Sequence, residues 1–154
     1  MQIIRIDKTQ GELVFELFDK YRVFYKQPSD PALAKKFILQ RLDNNESVIY
    51  VTLAGDIGKQ KPVGFTQLYP NYSSVRAVKN WVLNDLYVEA EFRKQGIGKN
   101  LIKSAIQFAK KDSVTFLELS TATDNYTAQS LYEQIGFVKQ QPDNDFYTYR
   151  INLK

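Results

Sequence analysis

Cysteine and histidine are missing from the 154-residue chain altogether. Their absence excludes a cysteine nucleophile, a Ser-His-Asp triad, a histidine proton shuttle, and zinc sites built on thiolate or imidazole. No metal is expected. Disulfides are excluded as well, so the chain is no stapled secreted scaffold. Acid–base chemistry falls to Asp, Glu, Lys, Tyr, backbone groups or water. No apolar run approaches the roughly 18 residues that a membrane span needs, so no membrane partner is expected. Arg5 and Asp7 come early, with no apolar block beside them. The expectation is therefore no signal peptide and a cytoplasmic location. Repeats, linkers and low-complexity tracts are also absent. With 44% hydrophobic and 25% charged residues, the composition is ordinary for a globular chain, and the length suits a single domain over residues 1–154.

The net charge of +4 is local. Between Glu89 and Lys111 stand six basic residues (Arg93, Lys94, Lys99, Lys103, Lys110, Lys111) against Glu89 and Glu91, an excess equal to that of the whole chain. A diffuse basic surface would point to nucleic acid or anionic lipid. An excess gathered around a Gly-rich turn points to a small phosphorylated ligand, and a solvated Lys-rich helix face is the plainer alternative.

Hydrophobic spacing gives the element order. Ile3 to Ile6 reads as a strand. Helical spacing runs from Thr9 to Tyr25 through Leu13, Val14, Leu17, Phe18, Tyr21, Phe24 and Tyr25. Asp30 is placed to cap a second helix that starts at Pro31 and ends near Asn44-Asn45. Ser47 to Ala54 and Val63 to Tyr72 form a hairpin about a polar turn. A looser stretch from Ser73 to Asn80 precedes Trp81 to Val88, a strand apolar on both faces and so central. Ile97 to Lys110 carries an apolar stripe and is a helix. Val114 to Thr121 is the next strand, then a helix closed by Gly136 as a left-handed cap. Two closing strands are predicted at Phe137 to Gln140 and Phe146 to Asn152. The fold class is α/β (α+β): one mixed, mostly antiparallel central sheet with helices on both faces. The step from Trp81 to Thr121 is a right-handed parallel crossover.

Chemistry concentrates in Leu86-Tyr87-Val88-Glu89-Ala90-Glu91-Phe92-Arg93-Lys94-Gln95-Gly96-Ile97-Gly98-Lys99. A buried strand passes through a short loop into a helix whose first N–H groups lack intrahelical partners and sit at the positive end of the macrodipole. Glycines there let a pyrophosphate approach the backbone, and Arg93, Lys94 and Lys99 can add charge-assisted contacts. A Gly-x-Gly before a helix is by itself also an ordinary tight turn. A second motif follows about 30 residues on, Asn125-Tyr126-Thr127-Ala128-Gln129-Ser130-Leu131-Tyr132-Glu133-Gln134-Ile135-Gly136-Phe137.

Together, Arg-x-x-Gly-x-Gly and Asn-x-x-Ala-x-x-Leu-Tyr-x-x-x-Gly-Phe resemble the two signature motifs of the GNAT superfamily of acetyl-CoA-dependent N-acetyltransferases. The element order resembles that fold over nearly the whole chain. The resemblance implies that acetyl-CoA lies where the strand at Trp81 to Val88 splays from the next one. Backbone groups of Leu86, Tyr87 and Val88 would pair with the acetyl and pantetheine portions. N–H groups of Arg93, Lys94, Gln95, Gly96, Ile97, Gly98 and Lys99 would hold the pyrophosphate. Asn125 would orient the pantetheine arm, and Tyr132 would stand beside the thioester sulfur. Homodimers paired through sheet edges are common in proteins of this resemblance.

The reaction needs a neutral amine, although an alkylammonium has a reference pKa near 10.4, so the site must remove a proton. It needs donors at the thioester oxygen, such as the Val88 N–H. It also needs a proton for the departing thiolate, and Tyr132 is the candidate donor. Beside Leu131 on a core-facing helix, Tyr132 also reads as a packing residue. Without cysteine, transfer is direct, in a ternary complex. The proton acceptor has two candidates. Asp85 interrupts an apolar strand, where a carboxylate is costly unless paired or functional, and Glu118 lies on the neighbouring strand. Either could act through water, and either could be a structural carboxylate. Trp81 to Gly98 is also similar to diamine acetyltransferases, which carry a Glu-Asp pair where this chain has Asn84-Asp85. The departure puts direct proton acceptance at Asn84, and diamine specificity, in doubt. Tyr21, Tyr25, Tyr69, Tyr72 and Trp81 are candidate walls for a cationic amine, drawn from the first two helices and the loop around Asn71 to Asn80. A small amine is the expected acceptor. A protein or peptide acceptor and a non-catalytic CoA-binding module are the alternatives, and nucleic acid is not an expected partner.

Overall fold

A computed structural model describes residues 1–142 and 145–154. The chain divides into two compact units, Met1–Ser120 and Thr121–Lys154.

The first unit is a five-stranded sheet with three helices. Its strands are β1 (Gln2–Arg5), β2 (Val48–Ala54), β3 (Lys61–Ser73), β4 (Val78–Val88) and β5 (Leu117–Glu118), and they lie in that order across the sheet. Pairing is antiparallel from β1 to β4 and parallel between β4 and β5, so the sheet is mixed and mostly antiparallel. Helices α1 (Glu12–Phe24) and α2 (Pro31–Asp43) share a core with one sheet face. Val14, Leu17 and Phe18 of α1 and Ala34, Ile38 and Leu42 of α2 bury against Ile49, Val51, Leu53 and Phe65. Fully burying a side chain of Leu, Ile or Phe size contributes about 1.5–3 kcal/mol. Helix α3 (Ile97–Lys111) covers the other face, where Ile97 and Leu101 pack on Ala54 and Val63. Helices on both faces are thus as the hydrophobic spacing predicts.

Local signals set the helix ends. The Asp30 carboxylate accepts from the Leu33 N–H at 2.9 Å, with Pro31 at the first helical position. Asp19 fixes the α1–α2 connection. Buried at the inner side of α1, it accepts from the Ser29 hydroxyl at 2.6 Å, the Asp30 N–H at 2.8 Å and the Arg22 guanidinium at 3.3 Å.

Three expectations are corrected. The stretch from Ser73 to Asn80 is not a loose acceptor loop: β3 and β4 stay paired to Ser73 and Val78, and only a tight turn joins them. The strand at Val114 to Thr121 shrinks to Leu117–Glu118, because β4 supplies a partner only at Trp81 and Val82. The closing strands at Phe137 to Gln140 and Phe146 to Asn152 do not form among the described residues. Phe146, Tyr147, Tyr149 and Ile151 of the second stand exposed. Alternating apolar residues give strand propensity, but a strand exists only against a partner edge.

The second unit holds α4 (Tyr126–Ile135). Asn125 caps it, its side-chain oxygen accepting from the Ala128 N–H at 3.2 Å. Gly136 closes it at φ 113°, a left-handed position that glycine takes without strain.

Candidate active site

The geometry of the site begins with one extra residue. In the β3–β4 ladder Gln67 faces Asp85 and Leu68 faces Leu83, leaving Asn84 as a bulge. A bulge shifts the two-residue alternation of a strand and re-aims the side chains beyond it. Before it, Trp81 points to the α3 side, its ring edge-on to Phe108 at 5.0 Å. After it, Leu86 and Val88 join the α3-side cluster while Tyr87 joins the α1–α2 core. Asp85 shares the Tyr87 side, under α1, where uninterrupted alternation would have set it with Trp81.

Asp85 is 2% exposed, and its partners are neutral. Gln67 Nε2 donates to Oδ2 at 2.5 Å and Asn84 Nδ2 to Oδ1 at 2.8 Å. The Tyr21 hydroxyl donates to the Asn84 carbonyl at 3.5 Å and faces the same carboxylate. Burial pushes the Asp85 pKa above its ordinary value, and the Gln67 and Asn84 amides, with the Tyr21 hydroxyl beside them, pull the other way without cancelling it. Burial and the neighbouring Asp85 charge raise the pKa values of Tyr21 and Tyr69 too, so both hydroxyls stay protonated. Tyr25 stacks edge-on against Tyr21 at 5.0 Å. Of the five aromatic residues expected to wall an acceptor site, Tyr21, Tyr25 and Tyr69 gather here. Tyr72 is exposed. Trp81 is engaged on the other face, its indole N–H donating to Asp112 at 2.7 Å.

Next to Asp85 the edge of β4 opens. Among the described residues β5 pairs only with Trp81 and Val82, so Leu83 to Val88 run on without a strand on that side. Bonding alternates along an antiparallel ladder. Glu89 N–H is spent on Val63 of β3, so Tyr87 turns its backbone to β3 while Leu86 and Val88 turn theirs to the open edge. The Val88 carbonyl there accepts from Arg93 Nε at 2.9 Å. Gly64 permits this tight packing: a Cβ on it would meet the Tyr87 carbonyl oxygen at 2.9 Å.

Beyond the edge the chain turns into α3 through Lys94 and Gly96, both with positive φ. Asn100 makes the first intrahelical bond, to Gly96, so the N–H groups of Ile97, Gly98 and Lys99 point outward at the positive end of the helix. Lys94 and Lys99 are exposed there. Arg93 folds back, its guanidinium 5.7 Å from the Phe24 ring centre and 5.9 Å from that of Tyr87. Gln95 donates to the Glu91 carbonyl. On the α1 side, Glu16, Lys20, Phe24, Ser29 and Tyr87 line a cavity of about 430 Å³, and Lys20 bridges Glu16 and Glu89 across it.

Of the remaining candidates, Glu118 stands apart from the Asp85 cluster within the first unit. Glu118 is exposed, accepts from Asn80 Nδ2 at 3.3 Å and is not among the groups that hold Asp85. Tyr132, in the second unit, is half-buried with its ring edge-on to Phe137 at 6.0 Å. Among the described residues no group of carboxylates forms a metal site, and no helix is long and apolar enough to cross a membrane. Sequence reasoning missed Gln67 and the Tyr21 hydroxyl as partners of Asp85. Only the polar pair Asn84-Asp85 in an apolar strand hinted at the bulge.

Comparison with known proteins identifies the family and the fold. Residues 12–137 match the acetyltransferase (GNAT) family. The uncharacterized N-acetyltransferase YhfO of Bacillus subtilis (strain 168) is 38% identical over 153 residues, 99% of this chain and 98% of that protein. A crystal structure of a probable acetyltransferase superposes with a TM-score of 0.86 at 38% identity, covering 100% of this chain and 99% of that one. An aminoglycoside acetyltransferase from an uncultured soil metagenomic sample, meta-AAC0020 in complex with sisomicin, gives a TM-score of 0.75 at 20% identity. The two chains are covered to 97% and 96%, and at that identity the likeness is one of fold.

Proposed function

The chain belongs to the GNAT acetyltransferase family, and on that premise we propose that it moves the acetyl group of acetyl-CoA to the primary amine of a small molecule. It is an acyltransferase, and the family implies acetyl-CoA as cosubstrate. The observation that carries the finer reading is a buried carboxylate with only neutral partners, Asp85, next to the open β4 edge at Leu86 and Val88. An open groove of about 430 Å³ on the same sheet face, lined by Glu16, Lys20, Phe24 and Tyr87, has room for a small amine beside the β4 edge.

In this reading the acetyl and pantetheine portions bond to the backbone of Leu86 and Val88, with Tyr87 packing below. The outward N–H groups of Ile97, Gly98 and Lys99, with those of Lys94, Gln95 and Gly96 in the turn before them, hold the pyrophosphate; the expected Arg93 N–H is instead spent on the Ala90 carbonyl at 3.3 Å. Asp85, directly or through water, takes a proton from the acceptor ammonium. The neutral amine attacks the thioester carbonyl, and the Val88 N–H meets the developing oxyanion. The C–S bond breaks as Tyr132 gives its proton to the CoA thiolate, the second amine proton passes to water and restores Tyr132, and Asp85 releases its own proton to solvent. Asn125 orients the pantetheine arm, Glu118 is a secondary acid–base candidate, and residues 1–154 work as one functional domain.

The test combines purified protein, isotopically labelled acetyl-CoA and cell extract separated by size. Label in the small-molecule fraction is the expected result. Label in the macromolecular fraction would transfer the reading to a protein or peptide acceptor. Binding of acetyl-CoA with neither fraction labelled would make the chain a CoA-binding module.

A further inference from the structure

Gln67 has no place in the chemistry so far, yet its side chain is one of the most enclosed polar groups in the protein, with no exposure at all. Its Nε2 meets Asp85 Oδ2 at 2.5 Å, and its Oε1 has no hydrogen-bond partner. An unsatisfied buried acceptor costs roughly 1–3 kcal/mol, and the bond the buried amide does make is the one to Asp85. The surrounding backbone supports that end. Gln67 is the cross-strand partner of Asp85 at the edge of the Asn84 bulge, and the Thr66 hydroxyl donates to the Asp85 carbonyl at 2.8 Å. Asp85 is thereby held by side chain and main chain from the same strand.

We propose that Gln67 is a positioning residue, fixing the Asp85 carboxylate so that its free lone pairs face the acceptor amine. The proposal rests on Asp85 being the proton acceptor of the acetyl transfer. The other groups facing Asp85 are Tyr21 from α1, Tyr69 from β3 and the neutral Asn84 beside it on β4. Neither tyrosine supplies a positive charge, so the amides of Gln67 and Asn84 are the main brake on its proton affinity. Removing the Gln67 donor frees the carboxylate to rotate and favours its protonated form.

Two variants test this: Gln67→Met, which keeps length and loses the donor, and Gln67→Glu, which keeps shape and puts a second carboxyl in contact. In the free protein with 13C-carboxyl-labelled aspartate, the Asp85 titration followed by NMR moves to higher pH in Gln67→Met. In Gln67→Glu the two carboxyls share a proton and hold it to higher pH still. With labelled acetyl-CoA and the small-molecule fraction of extract as amine source, the acidic limb of turnover shifts the same way. The plateau rate falls at least about tenfold, as loss of aligned general-base catalysis requires. An Asp85 titration and acidic limb unmoved in both variants would overturn the role of Gln67, even if their melting temperatures fell. Wild-type turnover in Asp85→Asn across the pH range would instead overturn Asp85 as the proton acceptor.

Discussion

A carboxylate kept out of water with no cation beside it costs folding free energy, and Asp85 is in that position. Its folded pKa lies above its unfolded value, so its contribution to stability is fullest below the unfolded value and is lost as pH rises through the folded one. Asp85→Asn keeps the volume and removes the charge. The variant is expected to be at least as stable as wild type near neutral pH, with its relative advantage growing as pH rises. It should lose roughly 10²- to 10⁴-fold in turnover, the range of a general base. Thermal melts at several pH values, together with labelled-acetyl transfer, check both halves; a variant less stable at every pH and fully active would contradict them. Tyr132→Phe separates binding from chemistry: acetyl-CoA affinity is expected to hold while turnover falls at least about tenfold, measured by calorimetry and transfer rate. Asp85 is legible as a site residue because a lone carboxylate in an apolar strand is physically conspicuous. Gln67 is not, and Tyr21 is legible as a wall of the acceptor site but not as a neighbour of Asp85, because both meet it only after the Asn84 bulge reverses which face it takes.

Elements written in local chemistry can be read from sequence, and elements that depend on distant partners cannot. Helices α1 to α4 carry their own apolar stripes and end signals, Asp30-Pro31 and Gly136 among them, and they stand close to where the spacing puts them. Strand β5 and the expected closing strands depend on the edges beside them, and propensity overstates them. The α1–α2 connection shows how one buried group sets a joint between elements. Asp19 has a lowered pKa, chiefly through the Ser29 hydroxyl with help from the Asp30 N–H and Arg22. Its pH sign is opposite to that of Asp85: the stability it adds is present above the unfolded carboxylate pKa and is lost as pH falls through the folded one. Asp19→Ala is expected to cost about 1–3 kcal/mol at neutral pH, and the difference from wild type should shrink in acid; equal losses at pH 3 and pH 7 would refute the linkage. At the β3–β4 contact, Gly64→Ala forces a Cβ against the Tyr87 carbonyl and is expected to destabilise by about 1–3 kcal/mol, as overpacking does. Denaturant unfolding measures both.

At the scale of the whole molecule, the basic excess between Glu89 and Lys111 takes its meaning from the fold. Arg93 is turned inward onto the Val88 carbonyl and two aromatic rings, while Lys94 and Lys99 stay exposed around outward N–H groups at the start of α3. That concentrates positive potential at one helix end, the arrangement that suits a compact phosphorylated ligand better than a long polyanion. Acetyl-CoA should therefore bind the folded chain and raise its melting temperature in proportion to the logarithm of ligand concentration, adding about 2.7 kcal/mol at a hundredfold excess over Kd. Because acetyl-CoA carries few phosphates, its affinity should fall modestly with salt, whereas nucleic-acid binding through many lysines would fall by orders of magnitude between about 50 and 200 mM. Lys94→Ala with Lys99→Ala should weaken acetyl-CoA and flatten the salt dependence while leaving the binding of pantetheine, which carries no phosphate, unchanged. Titration calorimetry of acetyl-CoA, pantetheine and a nucleic-acid duplex at two salt concentrations decides the matter. A steep salt slope for duplex RNA or DNA, with acetyl-CoA unable to compete, would place the function of the basic segment elsewhere.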